Sequence, residues 1–216
     1  MNYKENILLF NKQLDDYKRS NKKCFVTSSF QTQSVPLLHI ISKVDNTIPV
    51  YFIDTAFLFA ETYQFKEKLQ RELKLNIIDI KSPIPHSQQL DSNGFFHYAS
   101  NPDHCCYLNK VMPLDSLLKE NNVWMTGVRK DQTLNRATME MEEPCKFGSI
   151  VFRPMLEWTS KDIYDYIREY DLPKHPLEKS GYVSIGCVPC TTIGIGMDNR
   201  ESRWQGQNKT ECGLHN

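Results

Sequence analysis

Short apolar runs alternate with amphipathic stretches along most of this chain. Cys24-Phe25-Val26-Thr27 is a compact apolar run that predicts a buried strand. Polar residues 28–34 follow, and Pro36 then opens a helix through Val44, proline being welcome in a first helical turn. Residues 48–53 predict a second strand, ending in Asp54-Thr55. Leu58, Thr62, Phe65, Leu69 and Leu73 recur every three or four positions, as one face of a long helix does. Third, fourth and fifth strands are predicted over residues 75–80, 123–128 and 149–154. Between the third and fourth lie residues 81–104, rich in Ser, Pro, Asn and Gln and read as an irregular crossover. Cys105-Cys106 then opens a helix through Lys119.

Residues 5–20 read as an amphipathic helix carrying Leu8, Leu14 and Tyr17. Thr159-Ser160-Lys161-Asp162 has the form of a capping box, opening a helix with Ile163, Tyr166, Ile167 and Tyr170 on one face. Strand and helix in alternation call for an α/β fold: a mostly parallel five-stranded sheet flanked by helices. After Asp171 the texture changes. From Asp198 onward the only large apolar residues are Trp204 and Leu214, so this tail is expected to open easily from the core.

Bulk properties narrow the function classes. Lys+Arg and Asp+Glu are both 26 in 216 residues, which gives no global charge to attract nucleic acid or an anionic membrane. Apolar runs such as Val50-Tyr51-Phe52-Ile53 are far too short to span a bilayer. The charged N-terminus has no signal-peptide core, so a cytoplasmic protein is expected. Seven cysteines in a reducing compartment point to metal binding or catalysis rather than to a disulfide framework.

The candidate chemistry falls in three places. Residues 28–34 lie where a parallel sheet places its ligands, and their hydroxyls and N–H groups suit a phosphate; a polar turn with a Ser cap fits equally. The loop matches neither nucleotide fingerprint, G-x-x-x-x-G-K-[ST] or G-x-G-x-x-G. The pairs Cys105-Cys106 and Cys187-Val188-Pro189-Cys190 can supply four thiolates to zinc or to an iron–sulfur cluster, or be buried unreactive thiols. Adjacent cysteines reach two irons of a cluster more easily than one tetrahedral ion. Lys110, four residues past Cys106, shares its helix face. Finally, Cys212 has Lys209 and His215 beside it and Arg200 and Arg203 upstream, a setting that favours a reactive thiolate over an idle terminal cysteine only in part. Cys24 and Cys145 are read as structural.

Seven ordered motifs together resemble the assimilatory adenylyl-sulfate/phosphoadenylyl-sulfate reductase family, from about Lys23 onward. They are Thr27-Ser28-Ser29-Phe30, Pro49-Val50-Tyr51-Phe52-Ile53-Asp54-Thr55, Cys105-Cys106 with Lys110, Thr126-Gly127-Val128-Arg129-Lys130-Asp131-Gln132-Thr133, Gly186-Cys187-Val188-Pro189-Cys190-Thr191, Arg200-Glu201-Ser202-Arg203-Trp204, and the segment from Lys209 to His215. The resemblance implies an adenine nucleotide α-hydrolase-like fold and a [4Fe-4S] cluster on Cys105, Cys106, Cys187 and Cys190. Cys212 matches the family nucleophile, and Lys110, Arg129, Arg200 and Arg203 match residues that gather the phosphosulfate. Ser28 and Ser29 match the phosphate loop; Trp204 and His215 match the closing tail.

The implied organisation is a nucleotide- and cluster-binding domain over residues 1–197 and a mobile tail over residues 198–216. The implied reaction is reduction of adenylyl sulfate to sulfite and AMP through an S-sulfocysteine, with thioredoxin or a glutaredoxin-like protein as reductant and a homo-oligomer as the assembly. The alternatives are the same chemistry on 3′-phosphoadenylyl sulfate, an ATP-dependent adenylyltransferase or thiolation enzyme, and a zinc-bound nucleotide sensor. The second of these needs an S-G-G-x-D-S loop, which residues 28–34 do not provide. Four positions depart from the family pattern. Gln31 and Ala56 stand where glycine is usual, Ser202 replaces a glycine between the two tail arginines, and Thr192 replaces a basic residue. Gln31 would be strained if its backbone were left-handed.

Overall fold

A computed structural model of the chain describes residues 3–194, 202–206, 209 and 211–215. Six strands form one sheet in the order β3-β2-β1-β4-β6-β5. They are β1 (Cys24–Thr27), β2 (Val50–Ile53), β3 (Ile77–Ile80), β4 (Val123–Thr126), β5 (Glu142–Pro144) and β6 (Ile150–Phe152). Five strands are parallel, as the alternating pattern predicts, and β5 runs antiparallel to β6 at the edge. The sixth strand corrects the five-strand expectation. Glu142-Glu143-Pro144 has no apolar signature because an edge strand can face water, and proline is tolerated there.

Period-2 alternation sorts the strand residues to two faces. Val26, Val50, Phe52, Val123, Met125 and Phe152 face a large core closed by α1 (Tyr3–Arg19), α2 (Val35–Val44), α3 (Ala60–Leu73) and α8 (Ser160–Glu169). Phe25, Trp124 and Val151 face the other way, onto Leu114, Leu117 and Leu118 of α6 (Met112–Glu120). Within α1 the inward face is Phe10, Leu14 and Tyr17, whereas Leu8 is 70% exposed. Leu8 is six positions from Leu14, which at about 100° per residue turns it well off that face. The capping box of α8 forms as read: Thr159 accepts from the Asp162 N–H, and the Asp162 carboxylate accepts from the Thr159 N–H at 2.8 Å. Ile163, Tyr166 and Ile167 are buried below it, while Tyr170 caps the helix and is half in solvent.

The helix bearing Cys105 and Cys106 has an unforeseen feature. It starts at Pro102 as α5 (Pro102–Cys106), passes through a π-helical turn over Tyr107–Val111, and continues as α6. The wide turn holds an extra residue, so Cys106 and Lys110 turn toward the sheet's end while the leucines of α6 still meet the sheet. Such turns recur at functional sites. A buried amide pair fixes the bend, with Asn109 donating to Gln89 Oε1 at 2.6 Å and Gln89 donating back at 3.1 Å.

Two departures from the family's glycines have different outcomes. Gln31 is extended (φ −74°), and the left-handed residue in its loop is Phe30 (φ 54°), so Gln31 carries no backbone strain. Ala56 does sit in the left-handed region (φ 54°), held there by its N–H donating to Asp54 Oδ1 at 2.8 Å. A β-carbon in that conformation costs about 1 kcal/mol. Ala56→Gly is therefore expected to stabilise the fold by about 0.5–1 kcal/mol, read as a higher urea midpoint at unchanged m-value.

Candidate active site

Thr27, Ile53 and Thr126 end β1, β2 and β4 at the rim of an open pocket. This is the crevice beside β1, where the strand order turns from β2 to β4, and where doubly wound sheets place their ligands. One wall is the loop after β1. Ser28 Oγ accepts from the Phe30 N–H at 3.1 Å, and Gln31 donates to Ser29 Oγ at 3.1 Å. The other end of the Gln31 amide accepts from the Ile185 N–H at 2.8 Å, tying this loop to the segment that carries Cys187. Ser28, Ser29 and Ser34 line the pocket, just before α2, whose start is continued from a 3-10 turn over Thr32–Ser34.

The opposite wall brings together Lys110, Arg136, Arg203, Trp204, Cys212 and His215. Arg203 donates from Nε to the Cys190 carbonyl at 3.0 Å, lies 4.5 Å over the Trp204 ring, and presses its guanidinium on Gly186, where a β-carbon would overlap it. Burial works against the charge on Lys110. The Cys187, Cys212 and Cys106 sulfurs around it act the other way and raise its pKa. Trp204 is buried against Cys187 and Cys190, with Cys212 packed on the same cluster. His215 stacks on Trp124 with ring centroids 5.2 Å apart, and Leu214 packs on the α6 core. The described part of the tail is thus docked through both of its large apolar residues.

Cys105, Cys106, Cys187 and Cys190 line one small pocket together with Lys110 and Thr55. Thr55 Oγ1 is 3.3 Å from Cys187 Sγ. Burial pushes the Cys105 thiol up to about 11, with the neighbouring cysteine sulfurs adding to it, and burial likewise raises Cys106 and Cys190. Among the described residues no three His, Cys, Asp or Glu side chains are grouped to hold a single metal ion. Cys24 is apart from this group, its thiol also raised to about 11 by burial.

Two sequence expectations change at the site. Arg129 does not line the pocket. Its fully buried guanidinium is engaged by Asp131 at 3.0 Å, Gln33 at 2.8 Å and Ser160 at 3.1 Å, so it braces the loop after β1 rather than facing a ligand. Arg200 lies outside the described residues. Arg136 takes a place in the wall that the sequence reading gave to neither, and the remaining departures meet each other: Thr192 Oγ1 donates to the Ser202 carbonyl at 3.1 Å. Nothing local in Asn135-Arg136-Ala137 signals the arginine, because its partners come from the tail.

Comparison with known proteins agrees with this geometry. Residues 23–193 match the phosphoadenosine phosphosulfate reductase domain. Adenosine 5′-phosphosulfate reductase of Bacillus cytotoxicus is 39% identical over 202 residues, covering 92% of this chain and 86% of that protein. The crystal structure of phosphoadenylyl-sulfate reductase from Candida auris, in its phosphate complex, superposes with a TM-score of 0.69 at 26% identity, covering 86% of this chain and 96% of that one. NH3-dependent NAD synthetase from Campylobacter jejuni shares the fold alone, with a TM-score of 0.58 at 13% identity over 84% of this chain and 79% of its own. The fold is that of the adenine nucleotide α-hydrolases, and an open pocket at the sheet's carboxyl edge, walled by a serine loop and a cysteine-bearing tail, is built on it. The chain belongs to the phosphoadenosine phosphosulfate reductase family.

Proposed function

We propose that this protein reduces adenylyl sulfate to sulfite and AMP, with Cys212 as nucleophile. The observation that carries this reading is the placement of Cys212 on the pocket at the sheet's carboxyl edge, which Lys110, Arg203 and the serine loop also line. The serine hydroxyls of the loop suit the nucleotide phosphate, and the two cations suit the sulfate. The Cys212 thiolate attacks the sulfate sulfur. The bond from that sulfur to the bridging oxygen breaks, and AMP leaves with its electron pair, its charge met by Lys110 and Arg203. Arg200 belongs in the same role by its motif. The enzyme is left as an S-sulfocysteine.

A dithiol then attacks Cys212 Sγ and expels sulfite, and its second thiol resolves the mixed disulfide. Thioredoxin or a glutaredoxin-like protein supplies that dithiol. Cys212 must meet substrate first and reductant second, so we assign residues 198–216 as a lid that opens between half-reactions. A cytoplasmic homo-oligomer is the assembly we assign, on the family resemblance.

Cys105, Cys106, Cys187 and Cys190 would hold a [4Fe-4S] cluster. Four thiols that line one small pocket fit a group in which each iron takes a single thiolate. When bound, the cluster supplies a rigid wall behind Lys110 rather than electrons, because the dithiol accounts for both. Preference for adenylyl sulfate over its 3′-phosphorylated form rests on those cysteines and on the name of the relatives at 36–39% identity.

Anaerobic purification followed by metal analysis and turnover is the test. A brown protein with iron and labile sulfide that releases sulfite faster from adenylyl sulfate is expected. A colourless zinc protein overturns the cluster, and faster turnover of 3′-phosphoadenylyl sulfate overturns the nucleotide assignment.

A further inference from the structure

Glu211, immediately before Cys212, is 7% exposed and forms a two-pronged ion pair with Arg136. Arg136 Nε donates to Oε1 at 2.9 Å and Nη2 to Oε2 at 2.8 Å. Thr133, which caps α7 (Leu134–Ala137), adds its hydroxyl to Oε1 at 3.1 Å. The far side of Arg136 is held by Gln132, whose oxygen also accepts from the Arg129 N–H at 3.1 Å. The Gln132 amide nitrogen in turn donates to Gln33 Oε1 at 3.1 Å, within the loop after β1. An unbroken polar chain therefore runs from the residue beside the nucleophile to the serine loop. A buried pair of this kind holds strongly against removal of either member, because the partner is left as a buried charge.

We propose that Glu211 is a positioning residue: a latch on Arg136 that fixes Cys212 over the pocket for attack and must release before a dithiol can reach it. The inference rests on the reading of Cys212 as nucleophile. Two consequences follow, and they have opposite signs. A weakened latch slows the first half-reaction, since the thiolate spends less time aligned with the sulfate. It speeds the second, since the tail opens more readily to a bulky thiol reagent.

The test compares Glu211→Gln, Glu211→Asp and Arg136→Gln with the wild-type holoenzyme. Without substrate, iodoacetamide labelling of Cys212, located by peptide mass spectrometry, is expected to rise about tenfold in Glu211→Gln and Arg136→Gln, with Cys24 labelling unchanged. In a single turnover with adenylyl sulfate, S-sulfocysteine formation is expected to slow by about 10–100-fold, with little change in the substrate concentration for half-saturation. Reduction of preformed S-sulfo-Cys212 by dithiothreitol should quicken. Glu211→Asp should fall between, and the Glu211→Gln/Arg136→Gln double variant should be no worse than either single, as members of one pair are.

Unchanged Cys212 labelling and unchanged single-turnover rate in Glu211→Gln overturn the latch, as do additive effects in the double variant. Parallel rises in Cys24 and Cys212 labelling also overturn it, since they report general loosening. If Cys212→Ser still releases sulfite, the reading of Cys212 has failed. If it does not, and the Glu211 variants behave as wild type, only the latch has failed.

Discussion

Cys212→Ser is expected to lower sulfite release by at least about 10⁴-fold while leaving iron content and the brown chromophore intact. A serine hydroxyl is not ionised near neutrality, so the attack on sulfate loses its nucleophile. The second half-reaction loses more, because a dithiol can expel sulfite only by attacking sulfur, and serine offers none. The chromophore is the informative control. Cys212 packs on the same apolar cluster as Cys187 and Cys190, so proximity alone does not separate nucleophile from ligand. Their partners do: Cys187 meets Thr55 and shares the small pocket with Cys105, Cys106 and Cys190, whereas Cys212 lines the large one. Cys187→Ser is expected to give the reverse result, loss of colour and iron. Retained sulfite release in Cys212→Ser, or loss of its colour, would show that the two roles have been exchanged.

The contrast between what was readable and what was not follows from the range of the forces involved. The parallel strands announced themselves because burial on both faces demands contiguous apolar residues, as in Cys24-Phe25-Val26-Thr27, and the capping box on α8 because its partners are three residues apart. Each of the seven motifs contributes residues to the pocket lining, although Arg129 itself does not. What escaped was set by distant partners. The direction of Arg129 depends on Gln33 and Ser160. The role of Arg136 depends on Glu211, 75 residues away. Strand β5 depends on backbone pairing with β6 rather than on side-chain polarity. Gln31 stands where the family usually has glycine, but the left-handed residue is Phe30, and the Gln31 side chain is a strut to Ile185.

Gly186→Ala is the other substitution with a large expected effect, and it tests Arg203 without touching it. The Gly186 N–H donates to Thr191 Oγ1 at 3.2 Å, and that hydroxyl donates to the Cys187 carbonyl at 2.9 Å, closing residues 186–191 into a tight loop. Arg203 lies across this loop, bridged to Thr191 on one side, donating to the Cys190 carbonyl and stacked on Trp204. A methyl at Gly186 overlaps the guanidinium, which can move only by giving up its place over Trp204 and beside the Cys190 carbonyl. The arginine must leave its seat, and its charge leaves the phosphosulfate with it. Charge-assisted hydrogen bonds to a developing anion contribute about 3 kcal/mol, so kcat/KM for sulfite release is expected to fall about 100-fold. The chromophore should persist, because the thiols keep their pocket. If Arg203 is the whole cause, Gly186→Ala combined with Arg203→Ala should be no slower than Arg203→Ala alone. A further drop in the double variant would place the damage in the cysteine loop instead, and near-normal turnover in Gly186→Ala would remove Arg203 from the group that gathers the anion.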